Sequence, residues 1–158
     1  MSKLITEIFS ISLFAGLLVL STVAKAQDFP ELIQRDWPGP GDHLYLNDVL
    51  FESTVPWFFA ASGFVIYAES KTEVATYDHN FKALDFKSVD PYQSVAFSSG
   101  FDCSFRLPIK SFSASYFSGM PFSDGRGLIR KDVGAQFLPE ANNSRLRERV
   151  CQLAMLLS

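Results

Sequence analysis

The fold is decided by one C-terminal stretch, residues 101–151, which reads FDCSFRLPIKSFSASYFSGMPFSDGRGLIRKDVGAQFLPEANNSRLRERVC. It contains both cysteines of the chain, Cys103 and Cys151. Cys103 stands at the edge of an apolar run typical of a β-strand, and Cys151 lies in a segment with helical periodicity. A bond between these cysteines would tether a helix to a β-sheet, so this stretch predicts the architecture.

A C-terminal helix is predicted over residues 143–157. Asn142 or Asn143 is its N-cap, because a short polar side chain accepts the free amide protons of the first turn. Apolar residues recur at helical spacing and form one stripe. The stripe consists of Leu146, Val150, Leu153 and Leu157. Three arginines mostly face away from it and form a candidate partner-binding surface. They are Arg145, Arg147 and Arg149.

The segments before this helix predict β-strands. Residues 109–117 alternate clearly between two faces, and residues 64–68 are β-branched and aromatic, as in a central strand. Residues 92–105 also favour a strand, interrupted near Ser99-Gly100 by a turn or bulge. We expect about five to seven strands. Their short connections favour an antiparallel sheet, and therefore an α+β fold.

Turn signals divide these strands. Asp124-Gly125-Arg126-Gly127 predicts a hairpin turn. Asp90-Pro91 predicts a boundary, since the residue before a proline has a restricted conformation. Residues 27–42 contain three prolines and predict an irregular lead-in, in which Trp37 is a candidate anchor onto the sheet.

The N-terminal 26 residues predict a secretory signal peptide. Lys3 supplies the positive charge, residues 11–19 are apolar, and Ala24-Lys25-Ala26 forms a cleavage site before Gln27. The alternative is a membrane anchor, but the apolar run is shorter than the roughly 20 residues of a spanning helix. We therefore expect an exported protein, periplasmic or at the cell surface, that is not an integral membrane protein after cleavage.

Residues 27–158 suit one domain, with the lead-in at 27–42 and a sheet-and-helix domain at 43–158. Two cysteines in an exported chain normally form one disulfide, because the compartment is oxidising. The sequence predicts a Cys103–Cys151 disulfide; two free buried thiols are the alternative.

Charge is unevenly distributed. Residues 27–102 carry four Lys/Arg and twelve Asp/Glu, whereas residues 103–158 carry eight and four. This pattern indicates either a basic face for an anionic partner or two solvated surfaces that partly neutralise each other. Nucleic acid is not expected as a partner, since the chain is acidic overall and lacks a basic–aromatic motif.

The two histidines, His43 and His79, each follow an aspartate. Adjacent residues of a strand point to opposite faces, which disfavours an Asp–His catalytic pair within one segment. Neither zinc-ligand spacing nor a serine-nucleophile elbow is present. We therefore predict no catalytic, cofactor or metal residues. A small periplasmic hydrolase using His43 and His79 is kept as an alternative.

Residues 98–151 resemble the tail of the surface-adhesin protein E family of secreted bacterial proteins. The matching features are Phe101-Asp102-Cys103, Arg106, Ser115-Tyr116-Phe117-Ser118-Gly119, Phe137-Leu138-Pro139-Glu140, an Asn-Ser helix start and Val150-Cys151. Upstream, Asp36-Trp37 and Leu44-Tyr45-Leu46-Asn47 resemble the opening of that family. Residues 69–91 do not align and are interpreted as an insertion.

The resemblance implies an antiparallel sheet with a C-terminal helix tethered by a disulfide. It also implies a non-catalytic, adhesin-like protein of the cell envelope that binds a host or envelope protein. The family prototype is lipid-anchored, and this chain lacks the cysteine for that anchor. A structural or stress-related periplasmic protein is the alternative. An open sheet edge further suggests a homodimer.

Overall fold

The computed structural model describes residues 30–50, 57–122 and 124–157. The predicted signal peptide, residues 1–26, lies outside them. Within the described residues no helix is long and apolar enough to cross a membrane.

Six strands of the described chain form one antiparallel sheet, in which each strand pairs with the next along the chain. They are β1 (Glu31–Arg35), β2 (His43–Leu50), β3 (Phe58–Tyr77), β4 (Ala83–Asp102), β5 (Lys110–Phe117) and β6 (Leu128–Gln136). A 3₁₀ turn (Pro139–Ala141) and helix α1 (Ser144–Leu157) follow. The prediction of an antiparallel sheet with a C-terminal helix is confirmed.

The disulfide between Cys103 and Cys151 is also confirmed. It joins the end of β4 to the middle of α1 across a Cα–Cα distance of 5.5 Å and closes a separation of 48 residues. Cross-linking a loop of that length restricts the unfolded chain and stabilises the fold by about 4 kcal/mol.

Helix α1 covers one face of the sheet. Its predicted stripe is buried at Leu146, Val150 and Leu153, and it packs on β1 to β4. Asn143 is the N-cap: its Oδ1 accepts a hydrogen bond from the Leu146 amide at 3.0 Å. The Asn143 Nδ2 donates to Gln34 Oε1 at 2.9 Å, which fixes the start of the helix against β1.

Two sequence expectations are corrected. The lead-in is not wholly irregular, because residues 31–35 form β1, which pairs with β2 as an edge strand. The irregular part is the turn at 38–42, before which Trp37 packs against the core as expected. Asp90-Pro91 is not a boundary, since β4 continues through it. Pro91 is tolerated there because β5 pairs with β4 only from Ser94 onward, so its missing amide interrupts no β4–β5 hydrogen bond.

The irregularity predicted near Ser99-Gly100 is a register shift between β4 and β5 at Ser98/Ser99. Gly100 is required there for close packing. A Cβ at this position would overlap the ring of Phe58 and lie 2.9 Å from that of Phe112. The absent side chain therefore leaves room for these two rings, whose centroids are 6.5 Å apart.

The β3–β4 hairpin is much longer than its neighbours. β3 and β4 contain 20 residues each, whereas β2 and β5 contain 8 each. β2 pairs with β3 as far as Ile66, and β5 pairs with β4 from Ser94. The intervening residues, 67–93, form a two-stranded arm.

This arm bends back over the sheet on the side of α1. Its register shifts three times, between Ile66 and Lys71, between Lys71 and Glu73, and between Thr76 and Tyr77. Such irregularities bend a ribbon. Near the tip, Phe81 meets Phe137 edge-on, with ring centroids 6.0 Å apart. Val74 of the arm is 8% exposed and belongs to the hydrophobic core. The arm and α1 therefore both pack on the same face of the sheet.

Candidate functional site

Two sites in the described chain place polar side chains next to aromatic rings. One is a surface at the end of the sheet that carries the disulfide. The other is a cavity beneath the bent arm, near the opposite end.

The disulfide-end surface consists of Trp57, Phe105, Leu107, Arg145 and Arg147. Trp57, Phe105 and Leu107 are 58%, 57% and 58% exposed. Backbone contacts bring them to one place. The Cys103 amide donates to the Trp57 carbonyl at 2.6 Å, and the loop that carries Phe105 and Leu107 follows Cys103 directly. Exposed large apolar groups gathered at one site are characteristic of contact surfaces.

Asp102 holds this loop in place. Its carboxylate accepts hydrogen bonds from the Ser104 hydroxyl at 2.6 Å and from the amides of Ser104, Arg106 and Leu107 at 2.9–3.0 Å. These bonds, led by that of the Ser104 hydroxyl, hold the pKa of Asp102 well below its usual range. The loop is therefore built around an ionised aspartate.

Arg147 fastens the same loop to α1. Its guanidinium donates to the carbonyls of Asp102 and Leu107, each at 2.7 Å from Nη2. It also lies 4.7 Å from the centroid of the Phe105 ring. Burial lowers the pKa of Arg147, although a guanidinium stays charged. The aromatic ring is thus presented to solvent with an arginine on its other face.

Trp57 and Phe105 both have left-handed backbones, with φ of 67° and 59°. Bulky residues adopt this region at a cost of roughly 1–3 kcal/mol, and such strain is concentrated at functional sites. Two exposed aromatic residues with this conformation lie at one end of the sheet. Holding these two rings in exposed positions therefore costs stability.

The three arginines predicted to bind a partner fall in different environments. Arg145 is exposed. Arg147 serves the loop described above, and Arg149 pairs with Glu31 of β1 at 3.0 Å and donates to Gln152 at 2.8 Å. Arg145 and Arg147 border the same groove beside Phe105. Partner binding by these residues stays a prediction.

The structure does not bring the two histidines together. His43 begins β2, where its Nδ1 lies 2.7 Å from the Asp42 carbonyl oxygen. His79 lies at the tip of the arm, two residues before Phe81, which contacts Phe137 just beyond β6. The sheet register pairs His43 with Ile66, next to the base of the arm, whereas His79 lies at the arm's tip. Among the described residues, no group of three or more His, Cys, Asp or Glu side chains is arranged to hold a metal ion.

The second feature is a cavity of about 510 Å³ between the arm, the sheet and the 3₁₀ turn. Three of its tyrosines come from neighbouring strands: Tyr67, Tyr92 and Tyr116. Their rings meet edge-on, with centroids 5.9 Å apart for the first pair and 5.0 Å for the second. Each is at most 5% exposed. Burial and then the charge of Glu140 raise the pKa of all three phenols.

Glu140 projects among these rings from the 3₁₀ turn. Pro139 begins that turn and the flanking Leu138 and Ala141 are buried in the core, so the backbone position is fixed. The Tyr67 hydroxyl donates to Glu140 Oε1 at 2.6 Å. Burial raises the pKa of Glu140, and the bond from Tyr67 opposes that rise.

The arm closes the other side of the cavity. The Tyr92 hydroxyl donates to the Glu73 carbonyl at 2.9 Å, which fixes the arm at its bend. Lys71, at the same bend, places its Nζ 5.2 Å from the centroid of the Tyr67 ring. The cavity is therefore bordered by aromatic rings, one carboxylate and one ammonium group.

Sequence reasoning missed this cavity. The available signal was an acid at position 140 inside an otherwise apolar run, FLPEA, with tyrosines at inward-facing strand positions. The bend of the arm, which brings these residues together, has no equally clear signature.

No protein-family model, curated protein or solved structure matches this chain. The resemblance to the surface-adhesin protein E family therefore stays a prediction.

Proposed function

We propose that the protein is an exported, non-catalytic, adhesin-like binding protein of the bacterial cell envelope. It engages a host or envelope protein through the disulfide-end surface. The observation that carries this proposal is the pair of strained and exposed aromatic residues, Trp57 and Phe105, at the disulfide end of the sheet, where Phe105 lines a groove with Arg145 and Arg147.

The composition of this surface supports a protein partner. Tryptophan and arginine are enriched among the residues that dominate binding energy at protein interfaces. Phe105 is supported from behind by Arg147, and the loop is fixed by Asp102, so the surface is organised before a partner arrives. Preorganisation reduces the entropy lost on binding.

Charge favours an acidic partner. Residues 103–158 carry eight Lys/Arg against four Asp/Glu, and Arg145 is exposed on this surface. We therefore propose a partner whose contact region combines apolar groups with Asp or Glu side chains. Association then weakens as salt concentration rises, because exposed charges are screened.

Export is proposed on two grounds: the predicted signal peptide at residues 1–26 and the Cys103–Cys151 disulfide, a bond typical of oxidising compartments.

The test is surface plasmon resonance of the purified mature chain against a panel of purified extracellular-matrix proteins and envelope extracts. The decisive variants are Trp57→Asn and Phe105→Asn. Asparagine tolerates the left-handed backbone, so these changes remove the ring without adding strain. We expect at least about tenfold weaker binding in each variant, the loss typical of an interface hot spot, with unfolding free energy within about 1 kcal/mol of the natural chain.

The matched control is Val133→Asn on β6, a strand that contributes no residue to this surface, where the natural side chain is 80% exposed. It should bind as the natural chain does. Binding that survives both aromatic substitutions contradicts the proposed surface. A chain that binds nothing in the panel or the extracts favours the structural or stress-related alternative.

A further inference from the structure

The Glu140 carboxylate is half-buried and takes part in none of the ion pairs seen among the described residues. Its side-chain hydrogen bond comes from the neutral Tyr67 hydroxyl. Burying a carboxylate without a positive partner is unfavourable. A cation that enters the cavity relieves this cost.

The rings around the carboxylate suit an organic cation. Tyr67, Tyr92 and Tyr116 border one cavity, and the face of a tyrosine ring attracts an ammonium group. The Tyr67 hydroxyl donates a hydrogen bond to a carboxylate, which shifts electron density into the ring and strengthens that attraction. A single carboxylate among tyrosines does not supply the several oxygen ligands that a hard metal ion requires.

Lys71 shows that an ammonium group fits against this ring. Its Nζ lies 5.2 Å from the Tyr67 centroid, within the roughly 6 Å over which such contacts act. The aliphatic part of a lysine is a butyl chain, so the protein's own side chain stands in for an alkylammonium ligand. Lys71 is exposed to solvent, and a ligand can therefore displace it.

We propose that this cavity binds a small organic ammonium ion. The cationic group lies over the face of the Tyr67 ring, on the side of the Glu140 carboxylate, and the apolar part of the ligand contacts Val74 and Leu138. The volume of about 510 Å³ falls within the range of about 300–1,000 Å³ usual for small-molecule sites. This site is independent of the disulfide-end surface, which lies at the other end of the sheet.

The first experiment is isothermal titration calorimetry of the mature chain at constant ionic strength. The probes are choline, n-butylammonium and 3,3-dimethylbutan-1-ol, the uncharged carbon isostere of choline. We expect saturable one-to-one binding of the two cations and at least about tenfold weaker binding of the alcohol. Equal affinity for the alcohol, or no saturable binding of either cation, overturns the proposal.

Variants locate the site. Glu140→Gln keeps the shape and an acceptor for Tyr67 but removes the charge, and we expect at least about tenfold weaker binding of choline. Glu148→Gln makes the same change at an exposed position of α1 and should bind as the natural chain does. Natural affinity in Glu140→Gln overturns the assignment.

Lys71→Met is a second, independent test. It removes the Lys71 ammonium group, which competes with the ligand for the Tyr67 ring, and the position is exposed, so the change should not disturb folding. We expect severalfold tighter binding of n-butylammonium. Unchanged or weaker binding in this variant contradicts the position of the ligand over the Tyr67 ring.

Discussion

Asp102 shows how one buried side chain can organise the loop of the proposed binding surface. It is 6% exposed and accepts bonds from a hydroxyl and three amides. We predict that Asp102→Asn lowers the free energy of unfolding by roughly 2–3 kcal/mol, since bonds to a charged acceptor are lost. Urea unfolding at pH 7 measures this. Asp124→Asn, in an exposed ion pair with Arg126, should change stability by less than about 0.5 kcal/mol.

The pH dependence of Asp102 follows from its lowered pKa. Its stabilising contribution is fully present above the pKa of an unfolded aspartate and is lost as pH falls toward the folded value. The stability difference between the natural chain and Asp102→Asn should therefore shrink as the pH is lowered below about 4. A difference that is constant down to pH 2 would falsify this assignment.

The pH dependence of stability expected from Glu140 is opposite in direction to that expected from Asp102. Folding raises its pKa, so its contribution is present below the unfolded pKa and is lost as pH rises through the folded pKa. Without ligand, the stability of Glu140→Gln relative to the natural chain should increase between pH 4 and pH 8. Urea unfolding at both pH values tests this, with Glu148→Gln as the control. A relative stability that falls over this interval contradicts the raised pKa of Glu140.

Among single residues, the sequence predicts those that have a strong local signature. Asn143 was identified as an N-cap candidate and Cys103 and Cys151 as partners, because capping and cysteine count are local or compositional features. The loop-anchoring role of Asp102 and the enclosure of Glu140 depend on which segments meet in space. Spacing along the chain does not encode that.

The bent arm is the element that distinguishes this sheet. Its packing rests on Val74, which is 8% exposed, although most of its neighbours in β3 from 68 to 77 are exposed. We predict that Val74→Ala lowers the free energy of unfolding by about 2 kcal/mol through lost burial and a residual cavity.

Val133→Ala is the matched control for this substitution, because Val133 is a strand residue that is 80% exposed. Chemical denaturation of both variants separates burial from strand propensity. Equal and small effects would mean that the arm does not pack on the sheet in solution.

The sequence predicts strand segments within the β3–β4 hairpin, but it does not predict that they are parts of two continuous long strands. Residues 64–68, predicted as a strand, belong to β3, and the predicted strand at 92–105 belongs to β4 as far as Asp102. The predicted break at Asp90-Pro91 was wrong because a proline is accepted where the adjacent strand is absent. The bend arises from register shifts between β3 and β4, which depend on pairing and cannot be recognised in either strand alone.

In the whole molecule, helix α1 and the bent arm both pack on one face of the sheet. α1 packs on β1 to β4, the arm adds Val74 to the same hydrophobic core, and the disulfide links α1 to the end of β4. The fold class was predictable because hydrophobic periodicity, turn residues and cysteine count agree on it. The proposed binding surface was only partly predictable: the sequence indicates Arg145 and Arg147, but Trp57 and Phe105 are recognised by exposure and backbone strain.

The measurement that tests this account most directly is the intact mass of the protein recovered after export, before and after reduction and alkylation. We expect a chain that begins at Gln27 and gains two alkyl groups only after reduction, as the exported, disulfide-tethered fold requires. Two thiols that alkylate without reduction, or a chain that retains residues 1–26, would contradict it.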